Sequence, residues 1–414
     1  STQLGRIYGS ILAAAIYLVL AVLAIEPVAY GCLHFKLAVG SLLASVFLFF
    51  IPLALLAMVG PFFIRVLTIS VAGVGGNVGR LSAISTLGSF VGTLLIGYAL
   101  IPFLPNSITM LLTSGLLMTV AAVYFFTWAR GKAAAVSVTL VLGSALGIYT
   151  GYQSNRPHFE HVEELARYNS DFGLLQVLQE KNGPRRYYLN DYLTQNIYDA
   201  DEKKSTAMFT YMLYHLARAY TPSIQDVLCI GLGVGIVPMD FARDGARVEA
   251  VEINPAVVPL ARQFFGFEPQ RLKLHFGDGR YFLNQTGHRY DTVILDAFLG
   301  DSSPSHLMTR EAFSAIRRTL KPGGTLVINS FGDFNQGHDF FTASLYRTLT
   351  NVFASVRIHC EYDQGNAFFV ASDQPNLAIL HPPDFSGVHS YCLNTVRAAF
   401  DGLREPLPGH GRVL

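Results

Sequence analysis

The stretch from Asp226 to Asn254, DVLCIGLGVGIVPMDFARDGARVEAVEIN, constrains the fold of this chain more than any other. Val227 to Ile230 is a short apolar run of the kind a buried parallel strand needs. Gly231, Gly233 and Gly235 follow at once. A turn that tight asks for residues without a Cβ, and so does a ligand lying against the backbone. A helix follows, and its first N–H groups point at whatever sits over the turn. Val248 to Val251 is the next strand, with Glu252 at its end. That is about twenty residues past Gly231, where nucleotide-binding folds place the acid that takes both ribose hydroxyls. The pattern predicts an adenosine-containing cosubstrate.

The glycine spacing narrows the choice. A dinucleotide fingerprint, G-x-G-x-x-G, needs a third glycine where this chain has Ile236. The run G-x-G-x-G suits a nucleoside without pyrophosphate, such as S-adenosylmethionine. Leu272 to Phe276 reads as a third strand ending in Gly277-Asp278-Gly279, and an acid there accepts from an adenine amino group. Asp291 opens a fourth strand, TVIL, and Asp296 ends it on the same edge as Glu252 and Asp278. A carboxylate beside a sulfonium can take a proton from an attacking amine or hold an ammonium in place. The polar loop 297–304 that follows, with Asp301 in it, is placed to cover such a site. The competing reading is a glycine turn with ordinary solvated or loop-capping acids. Three acids at successive strand ends make it the weaker one.

The first 150 residues are of another kind. Only 14% of the 414 residues are charged, against about 25% in soluble domains, and the shortage lies there. Five uncharged stretches, 7–25, 37–59, 81–104, 107–129 and 133–151, are long enough to cross a bilayer. They predict a multi-pass helical anchor in the cell (inner) membrane, with the lipid bilayer as partner. Gly60 to Arg80 is glycine-rich and reads as an interfacial segment rather than a span. Gly88 with Gly92, and Gly143, Gly147 and Gly151, make small-residue faces for close helix approach, within the chain or across a homodimer. Arg6, Arg65, Arg80, Arg130 and Lys132 fall on one side and Lys36 on the other. That bias places the C-terminal half outside the cytoplasm. A sulfonium cosubstrate made inside cells asks for the reverse, and the sequence leaves the side open.

Net charge is +1, which gives no surface for nucleic acid. The four cysteines, Cys32, Cys229, Cys360 and Cys392, have no metal-ligand spacing, so no metal is expected. Cys229 reads as core packing, while Cys360 and Cys392 are free to pair. The boundaries read as 1–152 for the membrane helices, 153–205 for a linker and small β unit, 206–373 for the adenosyl-binding domain and 374–414 for a tail. His158 to Tyr168 reads as a linker helix. Gly173 to Gln179 and Arg185 to Asn190 form a hairpin around Asn182-Gly183. A helix over about 206–220 precedes alternating strands near 227, 248, 272, 292 and 325. The last elements, 355–360 and 366–371, make an antiparallel pair at the sheet edge. A Rossmann-like, doubly wound α/β sheet follows, with its ligand at the carboxyl ends of the strands.

The run VLCIGLGVG…VEIN…GDG…VILDAF, with the hairpin YYLNDYLTQ and the helix MFTYML before it, resembles the spermidine synthase family of polyamine aminopropyltransferases, in its membrane-fused form. The resemblance covers roughly 170 to 372. It implies a class I methyltransferase (spermidine synthase) fold with a small N-terminal β-hairpin unit. It implies aminopropyl transfer from decarboxylated S-adenosylmethionine to a putrescine-like amine, with methylthioadenosine released and no tightly bound cofactor. It assigns Asp296, Tyr211 and Tyr362 to catalysis. It assigns Gly231, Gly233, Gly235, Glu252, Asp278, Gly279 and Gln195 to the adenosyl donor. The chain departs from the family at Val234, where the glycine loop has an Asp, and at Met212 and Leu213, where the family is polar. These departures leave the acceptor open, and with it whether the donor keeps its carboxylate. A methyltransferase, an enzyme that splits the same sulfonium, and a non-catalytic adenosyl-binding membrane protein remain alternatives.

Overall fold

The computed structural model describes residues 2–68, 73–154, 160–298, 303–405 and 411–414. The chain divides into two compact units, Ser1–His158 and Phe159–Leu414.

Among the described residues of the first unit five helices are long and apolar enough to cross a membrane. They are α1 (Gln3–Cys32), α2 (Ala38–Leu67), α3 (Val74–Leu100), α4 (Asn106–Thr127) and α5 (Arg130–Gln153). Gly60–Arg80 is not a separate interfacial segment: its first residues extend α2 to Leu67 and its last open α3 at Val74. A glycine inside a helix costs about 1 kcal/mol, less than an unpaired backbone group in hydrocarbon. α1, α4 and α5 share a core of Ala15, Val19, Met118, Ala121, Phe125 and Val136. Tyr8 stacks on Tyr124 at 4.1 Å, and Ser114 donates to the Ala15 carbonyl at 2.7 Å. Gly143 lets α5 close on α4, since a Cβ there would lie 2.8 Å from Met118 Cε. Gly88 and Gly92 meet nothing within 4 Å.

The second unit opens with an antiparallel sheet of β1 (Val162–Ser170), β2 (Gly173–Glu180), β3 (Arg185–Asn190), β4 (Leu193–Asp199) and β5 (Lys204–Ser205). The hairpin around Asn182-Gly183 is β2–β3. The expected linker helix is instead β1, paired along its length with β2. Glu164 there accepts from Arg167 and from Gln176 of β2, so cross-strand partners override the local helix preference of Glu-Glu-Leu-Ala.

After α6 (Met208–Tyr220) the chain alternates through β6 (Asp226–Ile230), α7 (Ile236–Arg243), β7 (Arg247–Glu252), α8 (Val257–Phe264), β8 (Lys273–Phe276), α9 (Gly279–Gln285), β9 (Tyr290–Leu295), α10 (Arg310–Thr319), β10 (Leu320–Asp333), α11 (Phe340–Thr350), β11 (Ser355–His359) and β12 (Gln364–Ser372). α12 (Leu393–Asp401) and β13 (Leu403–Arg404) complete it. The sheet order is β13-β11-β12-β10-β9-β6-β7-β8. β10 through β8 run parallel, while β12 and β11 are antiparallel. The pair 355–360 and 366–371 is thus present, with β12 inside and short β13 capping the edge. Alternate residues of β6 face opposite cores: Val227 and Cys229 enter one, Leu228 and Ile230 the other. A strand buried on both faces explains the unbroken apolar run. All four cysteines are free, so Cys360 and Cys392 do not pair.

Candidate active site

The chain reverses its direction of strand addition at β6, which has β7 on one side and β9 on the other. Ligands in open α/β sheets bind at such a switch point, beyond the carboxyl strand ends. Backbone hydrogen bonds carry the ladder past those ends. Gly231 N–H donates to Val251 O, Gly277 N–H to Glu252 O, and Asp296 N–H to Ile230 O, each at 2.9 Å. Glu252, Asp278 and Asp296 therefore stand at neighbouring tips of β7, β8 and β9. All three line one cleft of about 440 Å³, together with Gly231, Gly233, Gly279 and Gln195.

Each glycine of the turn has its own reason. At Gly231 (φ +95°) a Cβ would lie 2.1 Å from the Asp296 carbonyl oxygen. Gly233 (φ +52°) has nothing within 4 Å, so its backbone is open to a ligand in the cleft. Gly235 lies outside the cleft; its left-handed backbone caps α7 and packs on Phe267.

The acids differ in environment. Glu252 is buried and accepts from Leu232 N–H at 2.9 Å and Asn254 N–H at 2.8 Å. Burial pushes its carboxyl up from the ordinary value, against those hydrogen bonds. Asp278 caps α9 through Tyr281 N–H at 2.8 Å and pairs with His306 Nε2 at 2.7 Å. Burial raises its carboxyl, but Tyr281 and His306 outweigh burial and hold it below the ordinary value. Asp296 is pushed up to about 6 by burial, moderated by Asn329, whose Nδ2 donates to its Oδ1 at 2.9 Å. A carboxyl in that range is ionised at neutral pH yet basic enough to take a proton. His306 is the one basic side chain among the described residues of the cleft wall.

Residues 207–362 match the spermine/spermidine synthase domain. A polyamine aminopropyltransferase of Vibrio vulnificus is 32% identical over 183 residues, 42% of this chain and 60% of that protein. Over that stretch the chain is similar to the spermidine synthase family. Spermidine synthase 2 of Datura stramonium is 33% identical over 132 residues, 30% of this chain and 42% of its own length. An N-terminal histidine N-methyltransferase of Emericella nidulans is 29% identical over 189 residues, 44% of this chain and 30% of that protein. The chain thus spans at most three fifths of these relatives. Its C-terminal part has the spermidine synthase/methyltransferase-like α/β fold.

Within the synthase domain two tyrosines lie away from the cleft. Tyr211 is buried on the core face of α6, donating to Ser205 O at 2.7 Å and accepting from His389 N–H at 3.3 Å. Its neighbours Phe209 and Thr210 reach the cleft instead. Tyr362 sits in the turn between β11 and β12, 67% exposed. Asn366 of β12 lines the cleft in its place. Val234, Met212 and Leu213 are core residues, so their lack of charge reflects packing. Asp301 falls outside the described residues; Ala297, Phe298 and Pro304 on either side of that loop line the cleft.

Sequence reasoning missed Asn329, Asn366, Phe331 and His306, and placed Phe298 only within the covering loop. Asn329 accepts from Asn366 Nδ2 at 2.9 Å, which orients it toward Asp296. The alternation of Asn329 and Phe331 along one strand was the available signal. Asp199, Glu202 and His389 also cluster, with His389 Nε2 3.4 Å from each acid. His389 Nδ1 accepts from Tyr391 N–H at 3.1 Å. His389 Nε2 itself is buried with no hydrogen-bond partner.

Proposed function

We propose that the protein is a membrane-anchored aminopropyltransferase that moves an aminopropyl group from decarboxylated S-adenosylmethionine to an amine and releases methylthioadenosine. One observation carries this reading. Three carboxylates face one cleft whose described wall includes no Lys or Arg. Such a cleft favours a cationic donor and a cationic acceptor over anionic ones. The aminopropyltransferase relatives agree with it.

In the proposed reaction Glu252 receives the ribose hydroxyls, Asp278 the adenine amino group, and the open backbone at Gly233 lies against the donor. Asp296, held by Asn329, takes the amine proton as nitrogen attacks the carbon next to sulfur. Positioning of this kind can supply about 7–11 kcal/mol of a barrier. The five apolar helices hold the chain in a bilayer.

The test is incubation of the full chain in lipid nanodiscs with decarboxylated S-adenosylmethionine and an amine panel, followed by mass analysis. Methylthioadenosine with an aminopropylated amine is the expected result. S-adenosylhomocysteine from the carboxylated donor would instead establish methyl transfer, the activity named for the Emericella nidulans relative. Binding of the donor without any product would leave a non-catalytic adenosyl-binding protein.

A further inference from the structure

Away from the cleft, three polar side chains converge where the C-terminal segment meets the small sheet. Asp199 ends β4, Glu202 lies in the turn between β4 and β5, and His389 precedes α12. One ligand atom from each lies within 4.8 Å of the others. His389 Nε2 is 3.4 Å from Asp199 Oδ2 and 3.4 Å from Glu202 Oε1. Asp199 Oδ1 accepts from Asp201 N–H at 2.9 Å and Glu202 N–H at 2.8 Å, which leaves Oδ2 to the histidine. His389 is 7% exposed, and its Nε2 has no hydrogen-bond partner. A buried ring nitrogen aimed at two carboxylates, yet bonded to neither, asks for something between them. The spacing says what. N–H···O bonds cluster at about 2.9–3.0 Å, well short of this separation. A tetrahedron with bonds of about 2.1 Å, the Zn²⁺ distance to imidazole and carboxylate, has edges of about 3.4 Å. An octahedral Mg²⁺ site with bonds of about 2.1 Å has edges nearer 3.0 Å.

We propose that Asp199, Glu202 and His389 form a binding site for a Zn²⁺-class divalent cation. The two carboxylates bring two negative charges, and the nearest cation, Lys204, is 3.7 Å from Glu202 Oε2. An imidazole ligand favours a transition ion over Mg²⁺ or Ca²⁺. Nε2 binds through its lone pair, so the ring proton moves to Nδ1 and the bond from Tyr391 N–H is given up. That is one ordinary hydrogen bond against three ligand bonds. The side chain of Glu202 is 48% exposed, so the fourth position opens to water. The ion ties the C-terminal segment to the β4–β5 turn. Tyr211 continues the tie, since its hydroxyl accepts from His389 N–H and donates to Ser205 O. Phe209 and Thr210, beside Tyr211 on α6, line the cleft, so the ion steadies that wall from behind. It takes no part in the transfer chemistry.

The experiment treats the full chain in lipid nanodiscs with a chelator, removes the chelator, and titrates Zn²⁺ or Mg²⁺ by calorimetry, with bound metal counted by elemental mass analysis. One equivalent of Zn²⁺ should bind, at least about tenfold more tightly than Mg²⁺, and should raise the thermal denaturation midpoint. Glu202→Gln changes an exposed side chain without changing its size. It should weaken Zn²⁺ binding by at least the roughly 10–100-fold that loss of an outer-shell partner costs. Asp199→Asn should do the same. No uptake from about 0.1 mM Zn²⁺ overturns the proposal. So does Mg²⁺ binding as tight as that of Zn²⁺. Uptake that Glu202→Gln leaves unchanged also overturns it, because the ion would then lie elsewhere.

Discussion

The two ends of the cleft are built on different principles. At the proposed donor end, Glu252 and Asp278 sit at the tips of parallel strands; Glu252 accepts only from backbone N–H groups, those of Leu232 and Asn254, and Asp278 from Tyr281 N–H, with His306 beside it. At the acceptor end, Asp296 takes its hydrogen bond from a side chain, Asn329, which Asn366 orients from an antiparallel strand. Backbone partners come with the fold and hold an acid in one place. Side-chain partners can be exchanged without disturbing the ladder. On the proposed reading, the difference teaches that the fold fixes where adenosine would sit and leaves the partner of the proposed base open to choice.

The sharpest way to break that comparison is Asp296→Asn. Losing the base should lower turnover by about 10²–10⁴-fold, in steady-state assays, with donor affinity by calorimetry unchanged. The same variant should be more stable at neutral pH. The carboxyl of Asp296 is raised to about 6 in the folded chain, so its contribution is full below the unfolded value and is lost as pH rises through about 6. Removing the charge should return about 3 kcal/mol, read as a higher denaturation midpoint at pH 7.5 that vanishes by pH 4. A variant that is inactive and less stable would contradict the assigned environment.

Glu252→Gln should do the opposite. It places an amide against two backbone donors and should weaken methylthioadenosine binding about 100-fold by calorimetry. The amine KM should stay unchanged. Loss of amine affinity alone would show the two ends are not separable.

The pH profile sharpens the comparison further. With Asp296 titrating at about 6, kcat/KM should fall about tenfold per unit below that value and level off above it. An acid limb that persists in Asp296→Asn would assign it to another group. The smallest effects belong to the two tyrosines outside the cleft. Tyr211→Phe should cost about 1 kcal/mol in thermal unfolding, from its lost hydrogen bonds, with turnover per folded molecule kept. Tyr362→Phe should change stability by less than about 0.5 kcal/mol and leave the kinetics alone.

The cleft wall assigned to the donor was legible in the sequence because its elements are local. Strand, glycine turn and terminal acid follow one another in the chain, so Gly231, Gly233, Glu252, Asp278 and Asp296 could be placed by order alone. The five apolar helices were legible for the same reason, through uninterrupted composition. The rest depends on which strands pair. Asn329 and Asn366 are far apart in sequence and meet only because β12 runs back along β10. β1 was misread because its helix-forming residues are outvoted by β2. Tyr211 was misplaced by about one helical residue, a rotation near 100° that turns a cleft side chain into a core one.

Gly231 has a consequence for how such a protein can diversify. Any side chain at that position would collide with the carbonyl of Asp296, so the proposed purine cradle and the proposed proton acceptor are mortared together. Drift at this joint is closed to all other amino acids. Novelty in what the molecule modifies must enter through β10 and β12, where exchanging one residue leaves the joint untouched.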